Sequence, residues 1–444
     1  MLGLAFLLCV HTAHALATPS AWIRDTWNLL VLGDLHMEDD MASHHQARQD
    51  CWNACQKLSL MSPSSLSVKE TIDCLQDARA GDLSPEQLEL LWKYKQQGDW
   101  LNTFMVSLGD LGRKDIRHEP GDAGTTLSFQ MAKEFFDGFQ MPYNLVTGNH
   151  DLEGLDEFAS DEDNLKAWMD CFNLETPYCK RYIGEKTVLL GMSTVRFRDA
   201  PYSSHEVHID DDQIQWFLQT VEEHPASEGW KILVASHAPV MGSGLRVLQN
   251  VHVTNGCAWL NHCSDNRNVF IRTIKDNPQI KLWFSGHFHL SHDYPDSISK
   301  VGSCTFVQVG VMGPVSTRDG NRQTRLVQGN EQRLRIYSIN HHLSTPDDVN
   351  VRLDVEIDLE TDEMKWNQPV EEADRDNWFQ AYVPREEDGC YLETPDGSIA
   401  DAASVNSKVC WWHMADGKVI GLHQGQLVEK WNSARSGKRG DEEH

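Results

Sequence analysis

The sequence predicts an α/β fold, and three observations carry that expectation. First, short unbroken apolar runs recur between Trp27 and Gly313, each closing on a small residue before a polar one: Asn28 to Gly33, Thr103 to Gly109, Tyr143 to Gly148, Lys231 to Ser236 and Lys281 to Gly286. Runs that do not alternate read as strands buried on both faces. Second, helical spacing lies between them. Ile214, Phe217, Leu218 and Val221 follow i, i+3, i+4, i+7 behind the capping run Asp210-Asp211-Asp212,. Third, each run is followed directly by residues able to hold a metal. Alternating strands and helices make an α/β domain, whose sites form beyond the carboxyl ends of its strands.

In chain order, Leu2 to Val10 is apolar and small residues follow at Ala13, Ala15 and Ala17. This reads as a secretory signal peptide over residues 1–17, too short to span a bilayer. No basic residue precedes it and no N-x-S/T sequon occurs, so the alternative is the first part of a bipartite, plastid-type organelle address. No later stretch reaches about 18 apolar residues, and no stable membrane insertion is expected. Without Cys9, ten cysteines remain, an even set that fits disulfides in an oxidising compartment,.

The main domain is placed at residues 27–360. Residues 37–100 are long for a connection and read as an insertion of two or three helices. Residues 153–181 form a second, acidic insertion that could cap a site. From Val349 to Leu359 apolar residues occupy odd positions, the pattern of a half-exposed closing strand,. Residues 371–432 read as a small β-rich C-terminal extension. There Val409 to His413 and Lys418 to His423 flank Asp416-Gly417, a hairpin signal,. Residues 433–444 read as a disordered tail.

The net charge of −27, from 66 acids against 39 bases, disfavours nucleic acid or an anionic membrane as partner,. A phosphate substrate is compatible with it once bound cations invert the local field.

Five blocks carry chemistry. Asp34-Leu35-His36 places a carboxylate and an imidazole two residues apart, on one side of extended chain. Gly109-Asp110 ends the second run and repeats the Leu-Gly-Asp-Leu found at Leu32. Gly148-Asn149-His150-Asp151 offers a hard neutral ligand in Asn149. His150 is then free for acid chemistry, with Asp151 placed to orient it. His237 follows the fourth run, and Gly286-His287-Phe288-His289 gives two imidazoles spaced by two. Taken singly, each has a bland alternative: a helix cap, an Asx turn, a structural histidine. Arg113 could clamp a phosphate or make a surface ion pair, and His292 could touch substrate. His44-His45 and His341-His342 have no supporting partner spacing, and Trp411 and Trp412 could stack on a ligand such as a sugar, with hairpin packing as the stronger alternative. Cys51, Cys55 and Cys74 invite a zinc reading, with disulfides or packing as the stronger alternative.

In this order the blocks resemble the calcineurin-like metallophosphoesterase family, D-x-H, G-D, G-N-H-D/E, H, G-H-x-H, over Trp27 to Gly313. The resemblance implies a layered β-sandwich of mixed sheets flanked by helices. It implies one metal on Asp34, His36 and His289, a second on Asn149, His237 and His287, and Asp110 bridging both. His150 would contact the phosphate and protonate the leaving oxygen. Nitrogen and oxygen donors without cysteine point to Mn, Fe, Zn or Co. The implied activity is hydrolysis of a small-molecule phosphate mono- or diester, a bridging hydroxide attacking phosphorus in line. Purple acid phosphatases add a Tyr ligand shortly after the second-block Asp. Here Leu111-Gly112-Arg113 follows Asp110, so the chain does not resemble that subgroup. A non-catalytic scaffold on the same fold, or a secreted binding module using the Trp-rich tail, are the alternatives.

Overall fold

The computed structural model describes residues 26–60 except 39, 103–113, and 121–367 except 204, 246–255, 294–296, 315, 318–319 and 346–347. Of residues beyond 367 it describes the backbone of five short strands.

In chain order the first strands are β1 (Trp27–Leu32), β2 (Thr103–Ser107), β3 (Tyr143–Leu145), β4 (Cys179–Gly184), β5 (Thr187–Met192), β6 (Lys231–Ser236) and β7 (Ile280–Ser285). There follow β8 (Ile298–Val301), β9 (Cys304–Gln308), β10 (Gln323–Gly329), β11 (Arg333–Asn340), β12 (Val351–Asp358) and β13 (Met364–Trp366). The helices are α1 (Ala42–Leu60), α2 (Thr126–Asp137), α3 (Asp161–Phe172), α4 (Asp211–Glu223) and α5 (Val269–Asp276).

Two mixed sheets pack face to face. One has the order β13-β12-β11-β10-β1-β2-β3, with β1, β2 and β3 parallel. The other has the order β4-β5-β6-β7-β9-β8, parallel in its middle with an antiparallel strand at each edge. The unbroken apolar runs are explained by cover on both sides. Leu29 and Val31 of β1 enter the layer between the sheets with Val106, Leu233 and Phe284. Leu30 and Leu32 point the other way, onto Phe129 and Phe136 of α2 and Trp168 of α3. In β6, Leu233 and Ala235 face inward while Ile232 and Val234 meet Phe217 of α4 and Phe270 of α5. Each side chain of this size stabilises the fold by about 1.5–3 kcal/mol when fully buried, so neither face tolerates a polar residue there. The result is an α/β/β/α stack.

α4 starts where the acidic cap predicts. The Asp210 side chain accepts a hydrogen bond from the Gln213 N–H at 3.1 Å, satisfying one of the free N–H groups of the first turn. α1 is the described part of the 37–100 insertion and rests on the first sheet through Ala47, Cys51 and Ala54. α3, within residues 153–181, sends Trp168 and Phe172 into the same core.

The closing strand differs from its sequence pattern. β12 pairs with β11 across an irregularity that skips Asp354, because Ile336 faces Val355 and Tyr337 faces Leu353. The irregularity moves the apolar positions from one face to the other. Val351 and Leu353 pack on the outer cluster, Val355 and Ile357 on the inner one. The skipped Asp354 is buried and pairs with buried Arg325 at 2.5 Å.

The seven described cysteines, Cys51, Cys55, Cys171, Cys179, Cys257, Cys263 and Cys304, are free thiols. No disulfide links any two of these seven, so the pairing that the even count would fit, left open by the sequence, is not seen among the described residues. Beyond Glu371, five strands form a third sheet, in which the strand Val409–His413 pairs with the strand Val419–His423 across the expected hairpin. The leader, most of the 37–100 insertion, the tail after Ser433 and the side chains of Trp411 and Trp412 lie outside the described residues. Among the described residues no helix is long and apolar enough to cross a membrane.

Candidate metal centre

The five blocks lie just beyond the carboxyl ends of β1, β2 and β3 in one sheet and β6 and β7 in the other, and their side chains meet across the sandwich. The chain must turn sharply there. His36, Asp110, His287 and His289 have φ of 41°, 52°, 71° and 54°. A left-handed backbone costs a side-chain-bearing residue about 1–3 kcal/mol and persists only where its surroundings hold it. Here the N–H groups of Leu35 and His36 both donate to the Asp110 carbonyl, at 3.1 and 2.9 Å. The Gly286 N–H donates to the His237 carbonyl at 2.8 Å.

The glycines of the motifs are there for space. A Cβ on Gly148 would lie 2.1 Å from Asp110 Oδ1 and 2.7 Å from the His237 ring. A Cβ on Gly286 would lie 2.1 Å from Asp34 Oδ1. The acidic ligands occupy the positions those methyl groups would take.

Two buried groups of donor atoms result. Asp34, His36, Asp110 and His289 bring ligand atoms within 4.8 Å of one another, as do Asp110, His237 and His287. Asp110 belongs to both. Asn149 joins the second, its Oδ1 3.1 Å from His237 Nε2.

The outer nitrogens of the four imidazoles fix which inner atoms carry lone pairs. His36 Nδ1 donates to the Gly112 carbonyl at 3.2 Å, and His289 Nδ1 to the Ser316 carbonyl at 2.9 Å. His237 Nδ1 donates to the Leu108 carbonyl at 2.8 Å, and His287 Nε2 to the Cys257 carbonyl at 2.7 Å. A carbonyl only accepts, so each neutral ring spends its proton outward. The inner nitrogens are then lone pairs facing one another, His36 to His289 at 3.0 Å and His237 to His287 at 3.1 Å. Asp34 Oδ2 lies 2.9 Å from His289 Nε2, and Asp110 Oδ2 lies 3.1 Å from His237 Nε2. Yet neither oxygen receives a hydrogen bond, as follows when the nitrogens have no proton to give. Facing lone pairs and carboxylates repel unless positive charge lies among them. This donor set therefore fits two adjacent divalent cations, of borderline rather than soft character.

Titration agrees at two of these rings and differs at a third. Burial, then the neighbouring His237, take His287 down to about 3. Burial and then His289 hold His36 well below its usual range. Burial opposes charge on His237, but the Asp110 carboxylate overrides it and raises that ring to about 9. A proton there is the charge a cation would replace.

His150 lies beside this cluster, its ring 5.2 Å from that of His36. Its backbone N–H donates to Asp110 Oδ1 at 2.9 Å. Asp151, expected to orient His150, does something else. Its buried carboxylate accepts the N–H groups of Asp110 at 2.8 Å, Leu111 at 2.9 Å and Gly148 at 2.8 Å. It braces the second block against the third. The group on the His150 ring is Glu153, with Oε2 2.5 Å from Nδ1. Sequence reasoning missed it, although the i, i+3 spacing in a tight turn was the available signal. Arg113 is paired with Asp122 at 3.2 Å.

The expectation that His292 contacts substrate is corrected. Its ring is buried, with Nδ1 on Ser338 Oγ at 2.8 Å and Nε2 accepting the Gly310 N–H at 2.9 Å. Both ring nitrogens are used by the protein. The other histidines without metal partners are structural too. His44 Nε2 lies 2.8 Å from the Leu35 carbonyl, and His341 lies between Asp50 and Thr324 at 3.0 and 2.8 Å.

Among solved structures, the chain is similar to a dimetal phosphatase from Danio rerio, at 10% identity, a TM-score of 0.41 and coverage of 71% of this chain and 97% of that one. It is similar to PhoD at 9% identity and a TM-score of 0.41, covering 80% and 76%. Vacuolar Protein Sorting 29 from Cryptosporidium parvum is similar at 11% identity and a TM-score of 0.30, covering 75% and 99%. No curated protein sequence matches significantly. The model of the calcineurin-like phosphoesterases matches residues 28–291, well over half of the chain and all five blocks. The chain therefore belongs to the calcineurin-like phosphoesterase family.

Proposed function

We propose that the protein is a metal-dependent hydrolase of phosphate esters that works with a dinuclear centre. The observation that carries this reading is the pair of buried donor groups sharing Asp110, with four histidine lone pairs turned inward by four backbone carbonyls. Asp34, His36 and His289 would hold one cation, Asn149, His237 and His287 the other, and Asp110 both. When bound, two cations supply Lewis acidity at a phosphoryl oxygen and make a water acidic enough to serve as nucleophile near neutral pH.

The chain's own groups do the rest. Asp151 keeps the Asp110 and Gly148 turns in register, so that the bridging carboxylate and Asn149 reach the same point. Buried walls around the ligands exclude bulk water and keep every charge–charge interaction strong. His150 stands at the rim, half-buried, and delivers a proton to the departing ester oxygen, a task suited to an imidazole.

The test is turnover of a chromogenic phosphomonoester and its diester counterpart by Mn-loaded protein, repeated with Asp110→Asn and with chelator. Turnover should fall at least about 100-fold in both cases, the scale of a lost electrostatic group in an active site. Activity that survives both treatments rejects the dinuclear reading. Bound metal with no turnover of either ester favours a scaffold.

A further inference from the structure

We propose that Glu153 is the residue that positions His150, and that the turn carrying it is held by the Gly124 loop and by Asn164 of α3. This rests on the reading of His150 as proton donor. His150–Leu152 forms a single 3₁₀ turn, closed by the Glu153 N–H on the His150 carbonyl at 3.2 Å. With three residues per turn, side chains at i and i+3 lie directly over one another. Glu153 Oε2 therefore meets His150 Nδ1 at 2.5 Å, with both side chains largely shielded, 15% and 23% exposed. Glu153 accepts Nδ1–H and favours the imidazolium, whose Nε2–H on the opposite side of the ring is then the donor for a leaving oxygen,. Asp151 cannot share the task, because its two oxygens already accept three backbone N–H groups.

The turn is locked from behind. Gly124, at φ +71°, comes so close that a Cβ on it would lie 2.4 Å from the Gly154 nitrogen and 2.8 Å from that of Glu153. Buried Asn164 of α3 ties the two loops together. Its Oδ1 accepts the Gly154 N–H at 2.9 Å and its Nδ2 donates to the Gly124 carbonyl at 2.8 Å. The acidic insertion thus reaches the site through a bracket that fixes the carboxylate behind the imidazole.

A positioned proton donor matters in proportion to how poor the leaving group is. The experiment compares wild type, Glu153→Ala and Glu153→Gln, all Mn-loaded, on a p-nitrophenyl ester and an alkyl ester of phosphate. For Glu153→Ala we expect kcat on the alkyl ester to fall about 10–100-fold. The p-nitrophenyl ester should lose less than about threefold, with KM and metal content unchanged. Glu153→Gln keeps an acceptor at the same place and should recover much of the alkyl-ester rate. Equal losses on both esters, loss of bound metal, or no loss at all would overturn the role of Glu153. Absence of ester turnover in the wild type would instead reject the hydrolase reading itself.

Discussion

Replacing Gly286 with alanine puts the space argument to a direct test. The new Cβ would stand 2.1 Å from Asp34 Oδ1, whereas real Cβ contacts do not fall below 3.0 Å. The carboxylate must retreat by roughly 1.3 Å before it reaches an ordinary contact,. Asp34 Oδ1 also accepts the His287 N–H at 2.9 Å, and a shift of that size breaks the bond. A hydrogen bond to a charged group contributes about 1.5–3 kcal/mol, and overpacking a full site costs about 1–3 kcal/mol. The reduced freedom of the unfolded chain returns at most about 1 kcal/mol. We expect a net loss near 2–5 kcal/mol, with metal binding impaired because Asp34 moves off the position it shares with His36 and His289. The assay is urea unfolding of metal-free protein together with metal counted per chain after loading. Gly302→Ala is the control. A Cβ there meets nothing within 4 Å, and only its φ of +58° is unfavourable, worth about 1–2 kcal/mol. A Gly286→Ala protein with wild-type stability and wild-type metal content would refute the reasoning.

Asp151→Ala strands three buried N–H groups, each costing about 1–3 kcal/mol if unsatisfied. The metal-free protein should lose at least about 3 kcal/mol by denaturant unfolding, and a change below about 1 kcal/mol would show that Asp151 is not a brace. Acid should destabilise the metal-free fold through histidines outside the centre. Burial, then Arg267, take His262 down to about 3. Burial, then Arg325 and Arg352, hold His292 well below its usual range. These rings stay neutral when folded and protonate near 6.5 when unfolded. Their stabilising contribution is whole above that value and declines as pH falls through it, by up to about 1.4 kcal/mol per unit for each. Unfolding measured at pH 7.5 and 5.5 should show this decline, with His262→Gln flattening it. His237, raised to about 9, works in the opposite direction in the metal-free protein, so a pH dependence left unchanged by His262→Gln would contradict the prediction.

The centre was legible in the sequence because each ligand sits at a strand end, where a buried apolar run makes the position unmistakable. Asp34, His36, Asp110, Asn149, His237, His287 and His289 all arrive together for that reason. What supports them was not legible. The carbonyls of Gly112, Leu108, Cys257 and Ser316 that set the imidazole tautomers are backbone atoms and leave no mark in residue type. Asp151 looked like a partner of its neighbour His150. A tight turn instead sends adjacent side chains apart and brings the i+3 residue, Glu153, onto the ring. β12 shows the same limit in the fold. Its alternation is real, but the skip at Asp354 exchanges the faces halfway, and only the pairing with β11 reveals it. That irregularity turns a carboxylate into the core where Arg325 needs one, a buried pairing that leaves no sequence signal beyond an acidic residue between apolar ones.

The place of β1 in its sheet bears on how the protein is made. β1 lies at the heart of the sandwich, flanked by β2 on one side and β10 on the other, with Trp27 opposite Gly329. As the chain leaves the ribosome, β1 emerges before either of its neighbours and can acquire β2 early. Its other edge keeps bare N–H and C=O groups until residues 323–329 follow. Such an edge is a template for pairing with the wrong chain, and contacts this distant in sequence form slowly. Newly made chains are thus exposed to misassembly through nearly three hundred residues of synthesis, and a nascent chain ending before β10 would carry all seven candidate ligands while β1 still lacked its second neighbour.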